Sequence, residues 1–249
     1  MHSEEYIEVN KKHWNVIARR DYRKKRKFVK QIRDGYPYLE KREPMIAPYL
    51  RDISGKRIIA MQFGDGLVLL ACARRGAIVT GVDLSSEQIR LAKKDAEYCG
   101  VNVTLVEADC QKLPPSIPNN HFDVAVAECG IFIWIKNLDA WMKNAHRVLK
   151  RGDKLVVSDF HPLDIITEEK GGNVIFKRSY FDQHPTRCEY TNEQDLPPSV
   201  EFAWKLSDII NATIRARFII ERVEEFYVEK KSKKPSWIPE DFLIVATKK

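Results

Sequence analysis

The feature that most constrains this chain is a strand–helix alternation that begins at Lys56 and repeats five times over about 100 residues. Arg57–Gln62 is a short apolar run, followed by the turn Phe63-Gly64-Asp65-Gly66. Leu67–Arg75 has the pattern of an apolar helix and ends at Gly76, a residue suited to the left-handed position after a helix. Ala77–Val82 reads as a second strand. Ser85 or Ser86 can cap the next helix, which runs to about Tyr98 and stops at Gly100. Val101–Glu107 and Phe122–Glu128 are the third and fourth strands. Leu138, Trp141, Met142, Ala145, Val148 and Leu149 recur at helical spacing, Gly152 ends that helix, and Lys154–Phe160 is the fifth strand. Such alternation predicts an α/β fold, a Rossmann-like, doubly wound sheet with helices on both faces.

The flanks extend this core. Residues 4 to about 34 have the pattern of a polar, basic helix, with Tyr6, Val9, His13, Val16 and Ile17 on one stripe. Pro37, Pro44 and Pro48 punctuate the next stretch, and Met45–Leu50 fits a short helix. Residues 161–204 break the rhythm with polar, Pro and Gly residues and strand-like pieces such as Asn173–Tyr180, which suggests an inserted hairpin or cap. Leu206–Ala216 is helical. Phe218–Val228 and Phe242–Ala246 are two last strands, linked by Lys230–Pro239 with no helix between them, so they form an antiparallel pair at the sheet's end. The expectation is a single domain with a seven-stranded, mostly parallel sheet. Its parts are an N-terminal helical lid (1–50), a ligand-binding core (56–160), an inserted cap (161–204) and a C-terminal helix with a strand pair (205–249).

Composition narrows the setting. No apolar run reaches the roughly 18 residues that a membrane span needs, and the polar start lacks the apolar region of a secretory signal. The five cysteines form no C-x-x-C pair. Four of them fall in stretches that read as core or core-adjacent. They are expected to be reduced thiols of a cytoplasmic protein, with no metal site. The net charge of +7 is concentrated. Arg19, Arg20, Arg23, Lys24, Lys25, Arg26, Lys27 and Lys30 make one run, and Lys230, Lys231, Lys233 and Lys234 another. Such runs can bind phosphates or nucleic acid. A solvated helix face and a charged loop are the favoured reading, because no RNA-binding motif accompanies them.

In a doubly wound sheet, ligands bind outside the carboxyl ends of the strands. After the first strand comes Gln62-Phe63-Gly64-Asp65-Gly66, whose small residues let backbone approach a ligand and start a helix. After the second comes Asp83, 17 residues beyond Gly66, placed to accept both hydroxyls of a ribose or to cap the following helix. After the third comes Ala108-Asp109-Cys110, where a carboxylate can accept from an adenine amino group.

Together these turns resemble class I S-adenosylmethionine-dependent methyltransferases from Lys56 to Pro162. The shared sequence is the glycine turn, Gly81-Val82-Asp83-Leu84-Ser85, the Asp109 turn, the run from Phe122 through Glu128, and the stretch around Arg147–Gly152. Trp14-Asn15 and the Ser207–Ala212 helix are similar to a bacterial and archaeal small-molecule group of that superfamily. The resemblance implies S-adenosylmethionine as cofactor, contacted by Tyr6, Trp14, Gln62, Phe63, Gly64, Gly66, Asp83, Leu84, Asp109, Cys110 and Glu128. The chain departs from the superfamily where an acidic residue and a first glycine are usual. It has Ala60 and Gln62, which puts in question how the methionine ammonium is held.

Catalytic candidates are Glu128, His161 after the fifth strand, and Tyr180 in the insertion. Phe132, Trp134 and Trp204 line an acceptor pocket or belong to the core. The segment Glu128-Cys129-Gly130-Ile131 lacks the N/D-P-P-aromatic pattern of base amino-methylating enzymes. The third glycine of a dinucleotide fingerprint is replaced by Leu69, which counts against an NAD(P) oxidoreductase. The expected function is methyl transfer to a small-molecule acceptor. The alternatives are an RNA methyltransferase that uses the basic N-terminal run, or a non-catalytic binding protein.

Overall fold

A computed structural model describes residues 5–190, 196–227 and 237–249. The strands of the core are β1 (Arg57–Met61), β2 (Ile78–Asp83), β3 (Val103–Glu107), β4 (Phe122–Glu128) and β5 (Leu149–Phe160). Helices α3 (Leu67–Arg74), α4 (Ser86–Cys99) and α5 (Leu138–Val148) alternate with them. The chain begins with α1 (Glu5–Arg33) and the short α2 (Tyr38–Arg42), and closes with α7 (Leu206–Arg215), β10 (Phe218–Phe226) and β11 (Asp241–Lys248). The seven strands lie in the order β3-β2-β1-β4-β5-β11-β10. Strand β11 pairs antiparallel with both β5 and β10, and the remaining pairs are parallel. The mostly parallel sheet and its terminal hairpin are therefore as expected. The Lys230–Lys234 run lies outside the described residues.

Alternation along the strands divides the core into two layers. Ile58, Ala60, Val124, Val126 and Val245 face α1, α3 and α4, while Ile59, Met61, Ala125, Ala127 and Ile244 face α5 and α7. Glycine appears where α3 must come close to the sheet. A Cβ on Gly81 of β2 would stand 2.3 Å from Leu69 Cδ1 and 2.7 Å from Phe63 Cδ1. Leu69 thus fills the place that a third glycine of a dinucleotide fingerprint would leave open, and the strand supplies the missing space instead.

Two boundaries differ from the sequence reading. Helix α5 stops at Val148, and β5 starts at Leu149, which pairs with Phe122. Gly152 sits at φ +85° inside a shift of register between the Phe122 and Val124 pairs, so it bends the strand and does not end the helix. The insertion contains α6 (Pro162–Ile166) and two hairpins, β6–β7 (Thr167–Lys170 with Asn173–Phe176) and β8–β9 (Thr186–Cys188 with Ser199–Glu201). Gly171 and Gly172, both at positive φ, make the first hairpin's two-residue turn. Of the cysteines, Cys72, Cys99 and Cys110 are buried, Cys188 is partly exposed and Cys129 is exposed.

Helix α1 is docked by polar residues more than its sequence stripe suggests. Its buried positions are Tyr6, Asn10, His13, Ala18, Lys25, Val29 and Ile32. Lys25 Nζ lies 2.7 Å from Asp95 Oδ2, Arg26 Nη1 lies 3.0 Å from Asp95 Oδ1, and the Tyr22 hydroxyl donates to the same oxygen at 2.9 Å. Asp95 on α4 is fully buried. The basic run is therefore not simply a solvated face, because two of its cations neutralise a core carboxylate. Nearer the N-terminus, Asn15 Oδ1 accepts from Ser85 Oγ at 2.7 Å and from the Glu87 N–H at 3.1 Å. Asn10 pairs both ways with Val200 of β9, at 2.9 and 2.7 Å. One helix thus grips the core and the cap together.

Removing one partner of a buried ion pair leaves the other charge uncompensated and costs about 3–5 kcal/mol. Asp95→Ala is expected to lower the unfolding free energy by that order in urea titration and to expose α1 to hydrogen exchange. A loss under about 1 kcal/mol would show that α1 docks without this pair.

Candidate active site

The sequence places its candidate ligands at three strand ends, and the fold brings these ends together at the crossover between β4, β1 and β2. Asp83 ends β2 and is buried. Its Oδ2 accepts the Gly64 N–H and its Oδ1 the Ser85 N–H, each at 2.9 Å. Burial pushes its carboxyl up to about 6, against the pull of these backbone donors. The helix cap is Ser85, whose hydroxyl accepts the Gln88 N–H at 3.1 Å, so Asp83 is not needed as the cap of α4. Each Asp83 oxygen retains acceptor capacity for a further donor.

Asp83 lines a cavity of about 650 Å³, its open mouth included. Gln62, Gly64, Leu84, Asp109 and Cys110 line it from the core, and Tyr6 and Trp14 line it from α1. Ile7, Ala108, Trp134 and Ile135 complete apolar walls around a slot with carboxylates along one edge. Trp14 stands edge-on to Trp134 at 5.2 Å, and Tyr6 edge-on to Phe202 of the cap at the same separation. Of the expected contact residues, Phe63, Gly66 and Glu128 do not line this cavity. The Phe63 ring is buried beside Gly81, and Gly66 at φ +75° starts α3.

Gln62 stands where the first glycine of the motif is usual, and it takes glycine's left-handed conformation, with φ +54°. Its side chain secures this. Trp141 Nε1 donates to Gln62 Oε1 at 2.7 Å, and Gln62 Nε2 donates to the Ile131 carbonyl at 3.3 Å. The amide is occupied at both ends by protein, so its side chain is a brace for the turn. Gln111, not singled out in the sequence, has a comparable position. Its Nε2 donates to the Tyr6 hydroxyl at 3.1 Å and to both Asp109 oxygens, and its Oε1 accepts the Asn137 N–H at 2.8 Å. Only its place directly after Asp109-Cys110 hinted at this.

Beyond Gly64 and Trp14 the cavity adjoins a groove that also holds Asp65, Glu43, Glu128 and Cys129. A further groove, lined by Lys41, Arg42, Phe160 and Phe226, shares Glu43, Glu128 and Cys129 with it. Glu128 ends β4, and its carboxyl group accepts no hydrogen bond from the described residues. Burial, then the neighbouring Glu43, Asp65 and Asp159, push its pKa well above the carboxylate range. The loop after it turns through Cys129 at φ +61° and Gly130 at φ +81°. Asp159, another residue that sequence reasoning passed over, holds that loop. Its Oδ1 accepts the N–H groups of Gly130, Ile131 and Phe160, and its Oδ2 accepts that of Phe132, at 2.6–2.9 Å.

The other two catalytic candidates stand apart from this junction. His161 is buried, and its Nδ1 accepts the Leu163 N–H at 3.1 Å as the cap of α6. Its Nε2 lies 2.9 Å from Glu225, and burial lowers its pKa. The His161-Pro162 pair starts a helix, and His161 does not line the strand-end cavity. Tyr180 accepts the Leu206 N–H at 3.1 Å and so ties the insertion to α7. Among the aromatic candidates, Phe132 is core, packed on Trp141 and Phe242. Trp204 donates to the Ile135 carbonyl at 2.8 Å, and only Trp134 lines the cavity.

Loss of a capping acceptor costs about 1 kcal/mol. His161→Ala is expected to lower stability by that amount in urea titration and to leave affinity for adenosyl ligands unchanged. A large loss of affinity with unchanged stability would return His161 to the site.

Comparison with known proteins agrees with this geometry. Residues 58–152 match a family model described as a methyltransferase domain. An uncharacterized protein of Haemophilus influenzae is 28% identical over 195 residues, 74% of this chain and 75% of that one. A demethylmenaquinone methyltransferase of Thermus thermophilus is 32% identical over 130 residues, 51% of this chain and 56% of its own length. The crystal structure of an S-adenosylmethionine-dependent methyltransferase from Mesorhizobium loti superposes with a TM-score of 0.66 at 24% identity, covering 82% of this chain and 97% of that one. Residues 58–152 therefore match a methyltransferase domain, and the fold is that of S-adenosylmethionine-dependent methyltransferases of known structure.

Proposed function

We propose that the enzyme transfers a methyl group from S-adenosylmethionine to a small-molecule acceptor, with the adenosyl part of the donor in the cavity under α1. The observation that carries this reading is the pairing of Asp83 and Asp109 along an apolar slot. A planar base suits the walls of Trp134, Ile135, Ala108 and Leu84, and a vicinal diol suits the remaining acceptor capacity of Asp83. Asp109 is braced by Gln111 and remains part of the cavity wall.

The adjoining groove supports the same reading. Asp65 and Glu43 line it, and Glu128 ionises once a cation sits beside it, so these groups are candidates to hold an ammonium and a sulfonium where Ala60 and Gln62 depart from the usual motif. S-adenosylmethionine is consumed as methyl donor and so enters as a substrate. Its methyl is already activated, and positioning is the larger part of the enzyme's task. In this reading α1 is a lid, and its bonds to Ser85 on one side and Val200 on the other close the cavity from water. The quinone relative acts on a small molecule, which agrees with an acceptor entering by the second groove. No described helix is long and apolar enough to cross a membrane.

The test is parallel calorimetric titration with S-adenosylmethionine, S-adenosylhomocysteine and NADH. Micromolar binding of the first two and none of the third is expected. Binding of NADH alone would contradict the reading. Asp83→Ala is expected to weaken S-adenosylhomocysteine binding by about 10- to 100-fold, the cost of charge-assisted hydrogen bonds. Unchanged affinity would remove Asp83 from the site.

The protonation of Asp83 gives a second check. Ribose hydroxyls that donate to the carboxylate favour its ionised form, so binding lowers its pKa from about 6 and expels protons. Calorimetry near pH 6 in buffers of different ionisation heat is expected to show net proton release. The release fades at alkaline pH, where Asp83 is already ionised, and disappears in Asp83→Ala. Proton uptake near pH 6 would contradict the assignment.

A further inference from the structure

The groove between α2 and the ends of β4, β5 and β10 carries a charge arrangement that selects among acceptors. It encloses about 1530 Å³, including its open mouth. Where it meets the groove beside Gly64 and Asp65, the residues common to both are Glu43, Glu128 and Cys129. If donor and acceptor come together, these are the groups at their meeting point. Two of them are carboxyl groups, and the third is a thiol. Asp159 also lines the groove, but its carboxylate is filled by four backbone N–H groups.

Lys41 and Arg42, by contrast, are exposed on α2 and line the same groove. Neither forms an ion pair among the described residues. The Arg42 guanidinium lies 4.7 Å over the Phe28 ring, which leaves its donors free. Phe160, 39% exposed, and Phe226 are apolar walls of the same groove.

We infer that the acceptor is an amine carrying an anionic group at its far end, with its nitrogen toward Glu43 and Glu128 and its anion toward Lys41 and Arg42. This rests on the reading that methyl transfer occurs where the two grooves meet. Carboxylates at that point repel an anionic nucleophile such as a phenolate and attract an ammonium. The arriving ammonium offsets the burial and like charge that hold Glu128 protonated, so Glu128 gives its own proton to solvent, and the ammonium then passes a proton to the Glu128 carboxylate. The freed nitrogen pair then forms the N–C bond while the pair of the S–C bond stays with sulfur, and the product leaves as the methylated ammonium. Burial of Glu128 among Glu43 and Asp65 raises its proton affinity, which suits it to that transfer. The two free cations at the mouth give the far end its anion preference.

The test measures binding, so it does not depend on turnover. Full-length protein saturated with S-adenosylhomocysteine is titrated calorimetrically with 4-(aminomethyl)benzoate, benzylamine and 4-hydroxybenzoate. The first is expected to bind about tenfold tighter than either of the others. In the double variant Lys41→Glu with Arg42→Glu, that advantage over benzylamine disappears, while affinity for S-adenosylhomocysteine stays at the wild-type value. Equal or tighter binding of 4-hydroxybenzoate, no binding of any probe, or an advantage that survives the double variant would each overturn the inference while leaving the methyl-transfer reading intact. Failure of S-adenosylhomocysteine itself to bind would overturn both.

Discussion

A buried carboxylate on α4, Asp95, determines where the first helix of this protein lies. Nothing about α4 as a helix requires an acid on its inner face. An unpaired charge there would be costly, so the face has to be met by cations. Lys25 and Arg26 meet it, and their spacing from Asn15, Trp14 and Tyr6 along the same helix then sets which residues hang over the ends of β1, β2 and β3. The cavity that holds Asp83 and Asp109 has a roof because α1 is fixed this way, and the cap reaches the same helix through Asn10 and Val200. Core, cap and cavity are thus joined through one helix.

The core shows how a glycine motif can lose a glycine and keep its turn. Gln62 adopts the left-handed backbone at a cost of roughly 1 kcal/mol, and two side-chain hydrogen bonds offset it. Glycine is retained where space is the issue, at Gly81 under Leu69 and Phe63. The order of glycines along the sequence is therefore a poorer guide than the contacts each position must make. A dinucleotide site and an adenosyl site share the strand–turn–helix plan. Here they part at Leu69, whose side chain occupies the space a third glycine would leave.

Much of this was legible in the sequence because it depends on local pattern. Alternating apolar residues and glycine stops marked the five core units, and the acids directly after strands, Asp83 and Asp109, are placed by the fold in the wall of one cavity. What escaped was long-range. Asp95 and Lys25 are 70 residues apart, and nothing local marks either as buried. Asp159 read as an ordinary strand residue, yet it organises the loop after β4 through backbone groups that carry no sequence signature. His161 and Tyr180, which the sequence offered as catalytic candidates, lie outside the strand-end cavity for the converse reason. Their side chains suit proton transfer or acceptor binding, but each is engaged by the start of a helix, and residue type alone does not report that engagement. Gln62 stood out as a departure from a family pattern, and only its partners Trp141 and Ile131 show it to be a brace.

The account's central claim is that one adenosyl site is built jointly by the strand ends and by α1. Hydrogen exchange of the wild-type protein with and without S-adenosylhomocysteine tests it most directly. The account predicts added protection at residues 62–66, 83–85 and 109–111 and, in the same experiment, at residues 6–15 of α1, with β10 unchanged. Protection confined to the strand ends, with α1 exchanging as before, would contradict it, because the helix would then be a docked extension and not part of the site.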